Sequence, residues 1–205
     1  AMKSIKFFIL LVCMVPTLVS YSQTSLQPSD YKYLPESQRE KILYDDFIKF
    51  ENYWLLGIEE DSWVENIENG HLYFQSLTNK PKEDLLSVMI DPSRDFEIEM
   101  KIKFERGNME QGYGIQWGKS KNPMKQYDFF LTGNGHYSVD RYTGEFEDFV
   151  PFTPSEIVNR YAPNKLTIRK VKNSYYFFLN EKMVHTMPFQ PFFGNLLGFQ
   201  VAANS

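Results

Sequence analysis

Cysteine is almost missing: Cys13 stands alone in a chain of 205 residues. A disulfide framework is excluded, and so is a Cys-ligated metal in any product that loses Cys13. Histidine is scarce as well. His71, His136 and His185 fall on separate expected strands and form no i, i+4 helical pair, so a zinc site has no ligand set. There is no basic run, and the net charge is -4. A groove built on phosphate neutralisation is therefore excluded, and nucleic acid with it. No Gly-x-Ser-x-Gly, Walker A or dinucleotide fingerprint occurs. No apolar run reaches the ~20 residues of a membrane helix. Past residue 41 there is no internal repeat and no low-complexity tract. Aromatics, by contrast, are abundant at 17%, with 18 Phe and 13 Tyr, which favours strands over helices.

The first 22 residues read as an export signal. Lys3 and Lys6 make a positive n-region, Phe7 to Leu18 an apolar segment, and Ser20-Tyr21-Ser22 a cleavage site before Gln23. Leu10-Leu11-Val12 ahead of Cys13 does not suit lipid attachment. Cleavage would remove two lysines and no acid, taking the charge from -4 to -6. The product is expected to be secreted, periplasmic or at the cell surface, with no membrane attachment after cleavage. Residues 23–41 are polar, with Pro28 and Pro35, and read as a leader or linker. Residues 42–205 form one domain. The exported chain of about 180 residues is long enough to bury a core without covalent staples.

That domain reads as all-β. Asp95 to Phe104 alternates without fault: Phe96, Ile98, Met100, Ile102 and Phe104 on one side, Asp95, Glu97, Glu99, Lys101 and Lys103 on the other. Period two means a strand with one buried face. Further strands are expected over His71–Leu77, Leu85–Ile90, Gly112–Gly118, Gln126–Thr132, His136–Tyr142, Lys165–Val171, Ser174–Leu179, Lys182–Thr186 and Leu196–Ala203. Gly133-Asn134-Gly135, Lys172-Asn173 and Asn180-Glu181 are expected hairpin turns. Thr153-Pro154-Ser155 predicts the cap of a short helix through Asn159. Scarce helix and many strands make an antiparallel two-sheet sandwich.

Several segments taken together have a family likeness. They are Tyr44-Asp45-Asp46-Phe47 followed by Trp54, Asn69-Gly70-His71-Leu72-Tyr73, Gly112-Tyr113-Gly114-Ile115-Gln116-Trp117-Gly118, Tyr127-Asp128-Phe129-Phe130-Leu131, and Tyr176-Phe177-Phe178-Leu179-Asn180. In these the chain resembles the concanavalin A-like lectin/glucanase (LamG-like) jelly rolls of secreted bacterial proteins, over residues 43 to 205. The resemblance implies a jelly-roll sandwich and a domain that binds sugars, cleaves them or holds neighbours together. It also implies a closing strand beyond Ala203, so a strand edge is expected to stay open.

Three candidate sites emerge. Glu97 and Glu99, two apart on a strand, share a face about 7 Å apart, near the separation of inverting glycosidase carboxylates. The glucanases of this fold carry a Glu-x-Asp-x-(x)-Glu run, whereas Met100-Lys101-Ile102 offers no third carboxylate. A solvated charged face, with Lys101 and Lys103 pairing the glutamates, fits better, and no catalytic residue is assigned. The second candidate is an outward sheet face of Gln116, Asp128, Phe130, Asp140, Tyr142, Arg169 and Gln200, with glycines between them. Amide, carboxylate and guanidinium groups bond sugar hydroxyls, and aromatic rings stack on pyranose C–H faces. Ordinary cross-strand pairing on a wet surface would use the same residues. The third is Asp45-Asp46, which could offer oxygens to a structural Ca²⁺, the one cofactor considered. Trp63, next to the acidic run Glu59-Glu60-Asp61, is the best candidate for an exposed stacking ring. These features predict a secreted, non-catalytic carbohydrate-binding domain. A structural domain contacting another protein is the alternative, and a glycoside hydrolase of the same fold a more distant one.

Overall fold

The computed structural model describes residues 9–14, 28–49, 52–59 and 62–203. The expected cleavage site before Gln23 lies outside them. In chain order the strands are β1 (Ile9–Met14), β2 (Arg39–Asp45), β3 (Gly57–Glu59), β4 (Trp63–Glu68), β5 (His71–Ser76), β6 (Lys82–Ser87), β7 (Phe96–Ile102) and β8 (Gly112–Lys121). They continue with β9 (Met124–Thr132), β10 (His136–Tyr142), β11 (Phe146–Pro154), β12 (Asn164–Val171), β13 (Ser174–Leu179), β14 (Lys182–Pro188) and β15 (Leu196–Val201). Two 3₁₀ turns, Pro28–Tyr33 and Glu36–Gln38, precede β2.

Two six-stranded antiparallel sheets result, in the orders β14-β13-β12-β7-β1-β2 and β11-β10-β9-β8-β15-β6; a small sheet β3-β4-β5 flanks them. Aromatic rings join the two large layers. Phe129 of β9 meets Phe177 of β13 edge-on at 5.4 Å, and Trp117 of β8 meets the same ring at 5.9 Å. The small sheet packs through Phe74, whose ring lies 4.9 Å from Phe199 of β15. The expected inward residues Tyr113, Ile115, Trp117, Tyr127, Phe129, Leu131, Ile168 and Phe199 are all buried. The period-two pattern thus fixes which face enters the core.

Local chemistry explains the turns. Gly135 sits at φ 95°, and its N–H donates to Thr132 O at 3.1 Å, closing β9 onto β10. Asn180 and Glu181 take φ 50° and 66°. Two successive left-handed residues are what a tight two-residue hairpin demands.

The structure departs from the sequence expectations at several places. Phe146–Pro154 is a strand, and 155–159 is a turn rather than a helix. Ser155 Oγ accepts the Ile157 N–H at 3.2 Å, and Val158 N–H reaches Ser155 O at 3.2 Å. β11 is an edge strand, where Pro151 and Pro154 cost no ladder bond. β6 begins at Lys82 rather than Leu85, because Asp84 is buried and breaks the apolar alternation. β2 begins at Arg39, inside the stretch read as leader. β15 is an interior strand between β8 and β6, so it leaves no open edge. Residues 9–14, in the apolar core of the expected export signal, pair as β1 with β7 and β2.

Candidate functional site

The outward face of the β11-to-β6 sheet carries a polar row running across the strands. Register places Gln116 opposite Asp128, Asp128 opposite Asp140, and Asp140 opposite Asp148. Directly opposed residues on antiparallel strands lie about 5 Å apart, so these side chains must interact. Gln116 Nε2 donates to Asp128 Oδ1 at 2.8 Å and to Gln200 Oε1 at 3.0 Å. Gln126 Nε2 donates to Asp128 Oδ2 at 2.8 Å. Lys119, rotated onto this face after Gly118 at φ 58°, reaches Gln116 Oε1 at 3.3 Å and forms an ion pair with Glu83 of β6.

Asp128 and Gln116 have no exposed surface, and Asp140 is 7% exposed. Burial raises both carboxyls. Asp128 rises to about 6, held down by the amides of Gln126 and Gln116. Asp140 rises to about 8, through burial first and then the neighbouring Asp128 charge. Two facing acids at such separation hold one proton between them, and it resides on Asp140, because the Gln126 and Gln116 amides stabilise the charge on Asp128.

Aromatic side chains flank this row at both ends. On one side Tyr142 and Phe146 pack at 5.0 Å, with Phe146 69% exposed. On the other, Phe130 lies over two glycines. A Cβ on Gly112 would meet Phe130 Cδ2 at 3.2 Å and Phe152 Cζ at 3.1 Å, and one on Gly114 would meet Phe130 Cδ1 at 2.9 Å. The glycines therefore seat the ring rather than leaving a void for ligand. Phe152 is half exposed beside it. Phe146 and Phe152 are six residues apart on β11, roughly 20 Å along a strand. Exposed Asp148 sits between them.

Six of the seven expected residues share this face: Gln116, Asp128, Phe130, Asp140, Tyr142 and Gln200. Arg169 does not. It belongs to β12, on the outer face of the other sheet, where its guanidinium forms an ion pair with Glu97 and donates to Pro28 O at 2.6 Å. Inward and outward alternation alone cannot say which of two sheets a strand joins. Sequence reasoning missed Phe146, Asp148 and Phe152, although they alternate on one segment. The prolines and the expected helix cap obscured that strand.

Glu97 and Glu99 are buried rather than solvated. They pair across the sheet with Arg169 and Lys165, the latter 2.6 Å from Glu99, while Lys103 pairs with Glu105. An opposed residue is closer than one two places along the same strand. Burial, then the Glu97 charge, lifts the Glu99 carboxyl to about 7.

Asp45 is a buried acceptor. Its Oδ1 receives the Phe47 N–H at 2.8 Å, and its Oδ2 receives Asn52 Nδ2 at 2.8 Å and the Trp54 indole at 2.7 Å. Asp46 accepts the Ile48 N–H at 3.0 Å. Protein donors thus organise the 46–54 loop where Ca²⁺ was considered. Among the described residues no group of three or more His, Cys, Asp or Glu could hold a metal. Trp63 is half-buried. It donates to Glu59 at 2.6 Å, and Lys82 Nζ sits 4.0 Å from its ring centre, so its face is occupied. A separate cleft at the sandwich end is lined by Gly135, Glu156, Asn159, Arg160, Tyr161 and Asn180.

No family model and no curated protein matches the chain. Solved structures do. The carbohydrate-binding module CBM66 from Bacillus subtilis is similar at 15% identity and TM-score 0.52, over 71% of this chain and 86% of that one. The fold is a concanavalin A-like jelly roll. Sheep galectin-11 is 12% identical, over 60% of this jelly roll and 90% of that chain, with TM-score 0.42. A Bacillus licheniformis beta-glucanase is 14% identical, over 80% and 85%, with TM-score 0.44. At these identities the likeness extends to the fold.

Proposed function

We propose that this jelly roll is a secreted, non-catalytic carbohydrate-binding domain whose contact surface is the outer face of β8 to β11. The observation that carries the reading is the pair of exposed rings, Phe146 packed on Tyr142 and Phe152 beside the buried Phe130, on either side of the acid and amide row. Rings of this kind stack on pyranose C–H faces. Asp148 and the half-exposed Gln200 supply hydroxyl partners. Gln116, Asp128 and Asp140 act beneath them, locking the strands so that the exposed groups keep their spacing.

Chemistry is assigned to none of these groups. Asp128 has no surface to present to a glycosidic bond, and Asp140 shares its proton with Asp128. Glu97 and Glu99 sit in ion pairs on the opposite sheet.

Retention on a panel of insoluble polysaccharides tests the reading. Binding to at least one glycan is expected, reduced at least ten-fold in Phe146→Ala and in Asp148→Ala. Tyr161→Ala, in the end cleft, should retain full binding. Absence of retention on every glycan, or loss only in Tyr161→Ala, sinks the proposed surface.

A further inference from the structure

β1 holds the interior position between β7 and β2 and pairs antiparallel with both. Its six residues, Ile9–Met14, are also the centre of the segment that reads as an export signal. If that signal is removed, this position loses its strand. β7 cannot stand at an edge without cost, since Phe96, Ile98 and Met100 have no exposed surface and Glu97 and Glu99 are buried too. Nor do β2 and β7 pair readily with each other. Each is antiparallel to β1, so they run in the same direction, and closing the gap would insert a parallel pair into an antiparallel sheet.

The register shows that Ile9–Met14 suits this position poorly. Leu11 and Ile9 stand opposite Ile98 and Met100, apolar against apolar. Leu10 and Val12 stand opposite Glu99 and Glu97. Those carboxylates already sit in a polar row with Lys165 and Arg169. Lys165 serves Glu181 as well, at 2.7 Å, so its one charge is shared between two carboxylates. A strand complementary to this position would alternate, with apolar residues opposite Ile98 and Met100, a basic one between Glu99 and Tyr44, and a polar one between Glu97 and Lys41 of β2. Among described residues 28–203 every strand already has its place in a sheet, so no other described strand is free to supply it.

We infer that the exported domain carries a strand-acceptor groove between β7 and β2, which takes an extended segment of alternating apolar and polar residues, with a basic one opposite Glu99, from another polypeptide chain. Main-chain hydrogen bonds to β7 and β2 give affinity, and the alternation gives selectivity. The inference rests on the export-signal reading and is independent of the glycan surface, which lies on the other sheet.

The test uses the chain secreted from a bacterial host. Its intact mass is expected to place the N-terminus at Gln23. Hydrogen exchange is then fast in the free protein at the alternate amides of Phe96–Met100 that face the vacated position, whereas those bonded to β12 stay protected. An eight-residue peptide alternating isoleucine with lysine or threonine slows it at least ten-fold, while a shuffled peptide of the same composition does not. Glu99→Gln weakens the lysine peptide several-fold. Glu99→Lys weakens it further, and a glutamate-containing peptide recovers binding to that variant. A secreted chain that keeps residues 9–14 overturns the inference. So do protection of those same alternate β7 amides without peptide, and equal protection by the shuffled peptide.

Discussion

Glu65 on β4 offers the sharpest quantitative test of how this fold handles charge. It is 1% exposed, and no protein N–H or O–H reaches either of its carboxylate oxygens. Its neighbour is Asp84 of β6, which accepts the Leu55 and Leu85 N–H groups at 2.7 and 2.8 Å. Burial first, then the hydrogen bond and charge of Asp84, pushes the Glu65 carboxyl from 4.5 to about 10. Glu65 is therefore neutral in the folded chain and donates its proton to Asp84. The unfolded chain releases that proton near its ordinary value. A carboxyl raised in the folded state gives stability that is full below about 4.5 and falls as pH rises toward 10. At pH 7 the deficit is about 3 kcal/mol, from roughly 1.4 kcal/mol per pH unit. That is a large share of a typical 5–15 kcal/mol. Glu65→Gln keeps a donor for Asp84 and removes the linkage. Urea unfolding at pH 5, 7 and 9 should show the variant gaining on the wild type as pH rises, with an advantage up to about 3 kcal/mol at pH 7. Asp128, Asp140 and Glu99 are raised as well, so the wild type has other slopes, but they cancel in the difference. A constant difference across the three pH values, or a variant less stable at pH 9, would show that Glu65 is not held neutral.

Three further outcomes follow from named contacts. Gly114→Ala would place a Cβ 2.2 Å from the Phe129 carbonyl oxygen and 2.9 Å from Phe130 Cδ1. A loss of about 3 kcal/mol is expected, and a melting temperature within two degrees of wild type would contradict the Phe130 seat. Arg169→Ala strands Glu97 in a pair whose side chains are only 3% and 5% exposed. It should cost about 3–5 kcal/mol while leaving glycan retention of the folded fraction intact, because it stands on the other sheet. Asp45→Ala leaves three donors, the Phe47 amide, Asn52 and the Trp54 indole, without their acceptor. A destabilisation of about 3 kcal/mol and a shift in Trp54 emission are expected, and an unchanged spectrum would count against this loop anchor.

Much of the fold was legible because alternation records burial directly. β7 and β13 were found almost to the residue, since one face of each is apolar without interruption, and β10 because the Gly133–Gly135 turn sets its start. Where a buried acid interrupts the pattern, as Asp84 does in β6, the boundary slipped. Where proline punctuates an edge strand, as in β11, the strand vanished, and the exposed rings Phe146 and Phe152 went with it. The candidate face was only partly legible. Period two separates inside from outside but carries no information on which layer a strand joins, so Arg169 was assigned to the wrong sheet. Nor does it report depth. Asp128 and Gln116 point away from the core and are nonetheless sealed by their own neighbours.

The left-handed step at Gly118 has a mechanical consequence. It adds a residue to β8, which swings Lys119 to the side already held by Gln116 and lets its ammonium reach across β15 to Glu83 at the rim. One side chain thereby ties the two strands on either side of β15. Sliding β8 relative to β6 would pull that buried cation from its partner, so the layer resists shear through a brace anchored by a single glycine.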